Sequence, residues 1–146
     1  MKIRLIVFGE TNVKPVAELI ADYSNRIKHY YSFEIVTLKA TNAEEEGELL
    51  LKKMSATELL ILLDEKGKEF NSIDFASQLN KLMLQGSKQI NFVIGGAYGF
   101  SQKTYERANA KIALSKMTMP HQLVRAVFVE QLYRACTILK NEKYHH

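Results

Sequence analysis

Ile90-Asn-Phe-Val-Ile94, running straight into Gly95-Gly-Ala-Tyr-Gly99, is the stretch of this 146-residue chain that decides its fold. A short, mostly apolar run reads as a strand buried on both faces. A glycine turn at its carboxyl end is where a parallel α/β sheet opens a crevice for a ligand. Working towards the N-terminus, Asn71 is the expected cap of a helix through Ile73, Phe75, Ala76, Leu79, Leu82 and Met83, ended by Gly86. Before it, Leu59–Leu63 is a second buried strand, and Ala43–Met54 reads as a helix with Glu44, Glu45 and Glu46 in its first turn, where the helix dipole favours negative charge. Lys2–Phe8 and Phe33–Leu38 have strand character. They flank a helix over Val13–His29 that carries Val16, Leu19, Ile20, Tyr23 and Ile27 at helical spacing.

Towards the C-terminus, Ser101 caps a short helix to about Ala108, Lys111–Leu114 is a last short strand, and a loop with Pro120 leads into the longest helix, His121–Lys140. Alternating strands and helices predict an α/β fold with a mostly parallel sheet and helices on both faces. No repeat, linker or low-complexity tract divides the chain, so residues 1–146 are read as a single domain. The last helix is apolar around most of its circumference, which predicts burial on nearly all sides. Packing against a second subunit is the favoured reading, and a central core helix within a monomer is the other.

A hydrophobic content of 47% suits one domain with its own core. The lone cysteine, Cys136, lies in an apolar helical run and reads as a buried, inert thiol in a reducing cytosol. No apolar run is long enough to span a membrane, and the opening MKIRLIVFGE does not read as a secretory leader. The expected location is cytoplasmic. The net charge of +4 is unevenly spread: residues 101–146 hold eight Lys/Arg against three Glu, and residues 40–74 nine Asp/Glu against four Lys. A basic C-terminal end can meet phosphates, or simply be a solvated face.

Three segments carry candidate chemistry. The turn Gly95–Gly99 lacks the G-x-G-x-x-G spacing of dinucleotide binders and the Lys-Ser/Thr of a P-loop. It offers close backbone approach to a flat polar ligand such as an adenosine, or it is only a tight turn. Leu114-Ser-Lys-Met-Thr-Met-Pro-His121 supplies the hydroxyls of Ser115 and Thr118 and unpaired amides ahead of a proline-started helix, as a binding loop or a capping loop. The tail Asn141-Glu-Lys-Tyr-His-His146 ends in imidazoles suited to proton transfer, and it also fits a mobile terminus or an expression-tag stub. No cluster has metal-ligand spacing, so no metal is expected.

Taken in order, Leu62-Leu-Asp-Glu-Lys-Gly-Lys68, Phe92-Val-Ile-Gly-Gly-Ala-Tyr-Gly-Phe-Ser101, Leu114-Ser-Lys-Met-Thr-Met-Pro-His-Gln-Leu-Val-Arg125, Glu130-Gln-Leu-Tyr-Arg-Ala135 and Tyr144-His145 resemble the large-subunit ribosomal RNA methyltransferase H family of the SPOUT superfamily. The resemblance implies a C-terminal deep trefoil knot, a rare exception to unknotted chains. It also implies a homodimer that uses S-adenosyl-L-methionine to methylate N3 of a pseudouridine in 23S rRNA of assembled ribosomes. Carried over by position, Leu63, Gly95, Gly96, Leu114, Ser115, Lys116, Met117, Thr118 and Met119 form the cofactor site. Tyr144 and His145 become catalytic tail residues, with His145 as the base that takes the N3 proton and the partner protomer as the recipient of the tail. Arg125 and Arg134 are read either as RNA phosphate contacts or as structural partners of Glu130. Ala97 and Lys143 stand where the family often has proline. Tyr98 replaces what is often a small polar or acidic residue and brings a face able to stack on a base. The rival readings are a non-catalytic RNA-binding dimer assisting ribosome assembly, and a Rossmann-type oxidoreductase, which the missing phosphate fingerprint disfavours.

Overall fold

The computed structural model describes residues 1–146. Five strands, β1 (Lys2–Phe8), β2 (Ser32–Leu38), β3 (Leu59–Glu69), β4 (Gln89–Ile94) and β5 (Ala110–Ala113), form one sheet in the order β2-β1-β4-β3-β5. Every pairing is parallel. The helices are α1 (Lys14–Ile27), α2 (Ala43–Lys52), α3 (Ser72–Met83), α4 (Gln102–Arg107) and α5 (His121–Leu139).

Alternation along β4 shows how the sheet divides its helices. Ile90, Phe92 and Ile94 join the larger core with side chains of α1, α3 and α5, whereas Val93 joins Ile6, Phe8, Leu60 and Leu62 in a smaller core under α2 and α4. Side chains two residues apart share a face, so one strand serves both layers. Buried Asn91 is satisfied by its amide donating to Leu59 O at 3.2 Å. The caps expected at Asn71 and Ser101 are in place, accepting from the amides of Asp74 and Thr104 at 2.8 and 3.2 Å.

β3 runs further than Leu59–Leu63, and the reason lies in Gly67. The pairing with β5 slips between Leu63 and Lys68, so residues 64–67 bulge before Lys68 and Glu69 rejoin Ile112 and Ala113. A Cβ at Gly67 would stand 2.6 Å from the Ile112 nitrogen. Only glycine allows the two backbones to come that close.

α5 lies against both α1 and α3. Ala126, Phe128, Val129, Leu132, Ala135 and Cys136 are buried in this chain's own core, while Leu123 remains 42% exposed. Much of the apolar circumference that suggested a second subunit is therefore spent within the protomer. The burial of Cys136 pushes its thiol up to about 12, as expected of an inert cysteine.

Candidate active site

The carboxyl ends of β3, β4 and β5 open on one cavity of about 460 Å³. Leu63, Asp64 and Glu65 come from β3, and Ile94, Gly95, Gly96, Ala97, Gly99 and Phe100 from the end of β4 and its turn. Leu114, Ser115, Met117, Thr118 and Met119 follow β5, and Pro120, His121 and Val124 start α5. The cavity has the size of a small-molecule site and sits where open parallel sheets bind ligands.

The glycine turn is held from behind. The Gly99 amide donates to Gly96 O at 3.1 Å, with Gly99 at φ +75°. A Cβ on Gly96 would stand 2.6 Å from Glu46 Oε1, and Glu46 is itself buried with Oε2 accepting from the Thr41 amide at 2.9 Å. At Gly95 a Cβ would press on the Phe100 ring at 3.2 Å. Packed side chains thus fill one side of the turn and leave its backbone as the wall of the cavity. Tyr98, between these glycines, is 78% exposed.

The second loop is tied to the bulge of β3. Ser115 Oγ accepts from the Met117 amide at 2.9 Å, and Thr118 Oγ1 donates to Glu65 Oε2 at 3.1 Å. The structure therefore brings Leu63, Gly95, Gly96, Leu114, Ser115, Met117, Thr118 and Met119 to one cavity. Lys116 is the exception, with Nζ 3.6 Å from Glu69 Oε1 and no part of the wall.

Sequence reasoning missed Asp64, Glu65 and Tyr105. Asp64 accepts from the Tyr105 hydroxyl and from the Lys66 amide at 3.0 Å. Burial, and then the bond to Asp64, push the Tyr105 phenol up to about 12, so it stays a donor and keeps the carboxylate aimed. The position of Asp64-Glu65 straight after a buried strand was a readable signal, of the same kind as the glycine turn. Tyr105 had none. No Lys or Arg lines the cavity, while two carboxylates do. The two carboxylates favour a neutral or cationic ligand, and no Lys or Arg is there to clamp a phosphate.

The tail is fastened elsewhere. α5 ends in a Schellman arrangement: the Glu142 amide donates to Thr137 O at 2.9 Å, the Asn141 amide to Ile138 O at 3.1 Å, and Asn141 takes the left-handed φ of 55°. This turns the chain back along the helix. The Tyr30 hydroxyl donates to Glu142 Oε2 at 2.6 Å, and the Tyr144 hydroxyl donates to Glu130 Oε1 at 2.9 Å and lies 3.3 Å from that of Tyr23. The bond to Glu142, and then burial, raise the Tyr30 phenol; burial, and then Tyr23 and Glu130, raise that of Tyr144. The Arg134 guanidinium covers the Tyr144 ring at 4.7 Å and places Nη1 3.2 Å from His145 Nδ1. Val124 lines the cavity and Arg134 holds the tail, ten residues further along one helix. At about 1.5 Å per residue they are roughly 15 Å apart. Tyr144 and His145 do not reach the cavity of their own chain.

The structure separates the two arginines, correcting both readings of Arg125 and placing Arg134 beside Glu130, as one of its two readings expected. Arg125 is 2% exposed, and its guanidinium donates to Phe8 O and Gly9 O at 2.8 and 2.9 Å and to Thr11 Oγ1 at 2.8 Å. It ties the end of β1 to α5, has nothing to offer an RNA phosphate, and is not a partner of Glu130 either. Arg134 is the partner of Glu130, at 2.6 Å, and its other nitrogen faces His145. Arg125 is structural because an apolar helix buries what it carries, and a buried guanidinium needs fixed acceptors; Arg134 is only partly buried, its side chain 24% exposed.

A cavity of this size, walled by backbone and carboxylates at the ends of parallel strands, is that of an α/β protein with a small-molecule site, and the chain belongs to the SPOUT methyltransferase family. The family model described as "Predicted SPOUT methyltransferase" matches residues 1–145. More particularly, the chain is 50% identical to a protein of Christiangramia forsetii, 48% to one of Parabacteroides distasonis and 47% to one of Flavobacterium johnsoniae, each named "Ribosomal RNA large subunit methyltransferase H". Each alignment covers 100% of this chain and 99% of the relative. The resemblance seen in the five sequence blocks is thereby borne out. A solved SpoU methyltransferase, AviRb from Streptomyces viridochromogenes in complex with the cofactor AdoMet, aligns over 97% of this chain and 61% of its own, at a TM-score of 0.47 and 8% identity. That distance is too great for residue correspondences. No helix is long and apolar enough to cross a membrane.

Proposed function

We propose that this chain is the enzyme that methylates N3 of a pseudouridine in 23S rRNA of assembled ribosomes, with S-adenosyl-L-methionine as donor. The observation that carries the reading is the cavity itself: about 460 Å³, walled by the glycine turn, the Leu114–Met119 loop and two carboxylates, without a Lys or Arg. S-adenosyl-L-methionine is an adenosine without phosphate that bears a sulfonium and an ammonium group, and such a wall complements each part. Backbone at Gly95 and Gly96 and in the Leu114–Met119 loop, with Leu63, would hold the adenosine and methionine moieties. Asp64 and Glu65 would face the positive charges. When bound, the cofactor supplies an electrophilic methyl group. The protein's share is to hold the imide nitrogen in line with it and exclude water.

The proposal includes a homodimer. Each protomer owns a whole cofactor cavity and a whole tail, but at opposite ends of α5, so Tyr144 and His145 would serve the cavity of the partner. It also includes one domain over residues 1–146, a cytoplasmic location, and the family's knotted threading. In support of the last, α5 leaves the β5 edge of the sheet and returns to the end of β1 through Arg125.

The test is incubation with methyl-labelled S-adenosyl-L-methionine and free 23S rRNA, separate subunits or whole ribosomes from a strain lacking the modification. Label on a single pseudouridine of the large-subunit RNA is expected, strongest on whole ribosomes. No label on any of the three overturns the enzymatic reading and leaves an RNA-binding role.

A further inference from the structure

The contact between Arg134 and His145 fixes more than a position. A guanidinium carries five N–H donors and no acceptor, and it is not deprotonated in proteins. Arg134 Nη1 lies 3.2 Å from His145 Nδ1. For that contact to be a hydrogen bond, Nδ1 must be the acceptor and so carry no proton. The imidazole proton then sits on Nε2, and the nitrogen left to meet a substrate is an N–H donor.

The surroundings hold this arrangement in place. Arg134 is clamped from the other side by Glu130 Oε1, at 2.6 Å from Nη2 and 3.1 Å from Nε. Glu130 is in turn held by Tyr144, and the tail is anchored by the Tyr30 bond to Glu142. A neutral ring with its proton on Nδ1 would point that proton at the guanidinium, which has no acceptor to offer it. The network thus favours one tautomer of His145 over its alternatives.

We propose that Arg134 sets His145 as the Nε2–H tautomer, so that His145 acts in methyl transfer as a hydrogen-bond donor to a carbonyl oxygen of the uracil ring. This revises the role of base. It rests on the proposed function, since it assumes that the tail meets the target base. In the balanced step, the N3 proton of the imide is lost to solvent and the negative charge spreads over N3 and the two flanking carbonyl oxygens. The N3 electron pair then forms the N–CH3 bond as the S–CH3 bond breaks, and that bonding pair remains on sulfur as a neutral thioether. The Nε2–H of His145 stabilises the charge on oxygen, as a donor in an oxyanion hole does. Tyr144, Glu130 and Arg134 are positioning residues, acting through the ring.

The experiment compares wild type, His145→Ala and His145→Gln on ribosomes lacking the modification. The Gln side-chain amide supplies an N–H near the place of Nε2 and cannot take a proton at neutral pH. Expected are a kcat loss of about 10²–10³-fold for Ala, the size of losing one such donor, and recovery of at least tenfold in Gln over Ala, with the cofactor Kd unchanged in both. Gln as inactive as Ala overturns the proposal. A direct second readout is nitrogen-15 NMR of histidine-labelled wild type, with His145 assigned from its absence in the Gln spectrum. Nε2 protonated and Nδ1 bare supports the proposal, and the reverse, or both protonated, overturns it. Ala that turns over like wild type overturns the proposal as well, whereas the proposed function fails separately, if wild type transfers no label.

Discussion

The two ends of α5 are built by different means. At its start, the cavity is made of backbone: glycines pressed against Glu46 and Phe100, a loop closed by Ser115, and carboxylates at the rim. At its end, the tail is made of side chains, with four tyrosines (Tyr23, Tyr30, Tyr133 and Tyr144), two arginines (Arg26 and Arg134) and two glutamates (Glu130 and Glu142) joined by hydrogen bonds and ring contacts. The first end has space and no partner of its own. The second has partners and no space. Under the proposed function, binding the cofactor and presenting His145 are separate tasks, and damage to each should show in a different kinetic constant.

The sharpest break of that comparison is His145→Ala. Under the proposed function it should lower kcat by about 10²–10³-fold and leave the Kd for S-adenosyl-L-methionine unchanged by calorimetry. A loss of cofactor affinity instead would join the two regions that the structure keeps apart. Arg125→Ala comes next, because it strips the donors from Phe8 O and Gly9 O in a buried place. Stability should fall by about 1–3 kcal/mol for each carbonyl left unpaired, read by urea unfolding. The salt dependence of ribosome binding should not change; a slope reduced by about one would return Arg125 to the phosphate contacts.

Gly96→Ala tests the cavity end alone. The new methyl group displaces the Glu46 carboxylate from its bond to Thr41 or moves the turn, so cofactor affinity should drop about tenfold, with about 1.4 kcal/mol lost. Adding Glu46→Ala to the same chain should restore part of it, which a double-mutant cycle would read. The smallest effect concerns Cys136, between the two ends. Its folded thiol sits near 12 against 9.0 for the free group, so the folded state holds the proton more tightly. This contribution to stability is whole below about pH 9 and declines as pH rises from 9 towards 12. Cys136→Ala should flatten that part of the stability curve, and the native thiol should resist alkylation at pH 8.

The sheet and its helices were legible because each rested on a local pattern. The run Ile90–Ile94, the caps Asn71 and Ser101, and the apolar spacing of α1 all act within a few residues. The extension of β3 to Glu69 was not legible, because Gly67 matters only once β5 lies beside it. The two loops that meet at the cavity were legible from their place at strand ends, with the resemblance naming individual residues. Asp64 and Glu65 stood in the quoted blocks but were passed over, since a carboxylate pair in an acidic stretch looks like a solvated face until a cavity closes around it. The role of Arg125 depended on acceptors 114 to 117 positions away, which no spacing rule reports, whereas Arg134 and Glu130 stand at the i,i+4 spacing of one helix and their pairing was legible.

The bond from Arg125 to the end of β1 also has a consequence during synthesis. β1 and α1 leave the ribosome with one side of their packing missing, because α5 begins at His121, more than ninety residues after α1 ends at Ile27. At about 5–20 residues per second, that delay is roughly 5–20 s. For that interval Ile20 and Ile27 lack the helix that later covers them, and the cavity, whose wall draws on β3, β4, β5 and α5, does not exist. A nascent chain of this protein therefore has no such cavity until its last few dozen residues are made, and α1 keeps an uncovered apolar side until then.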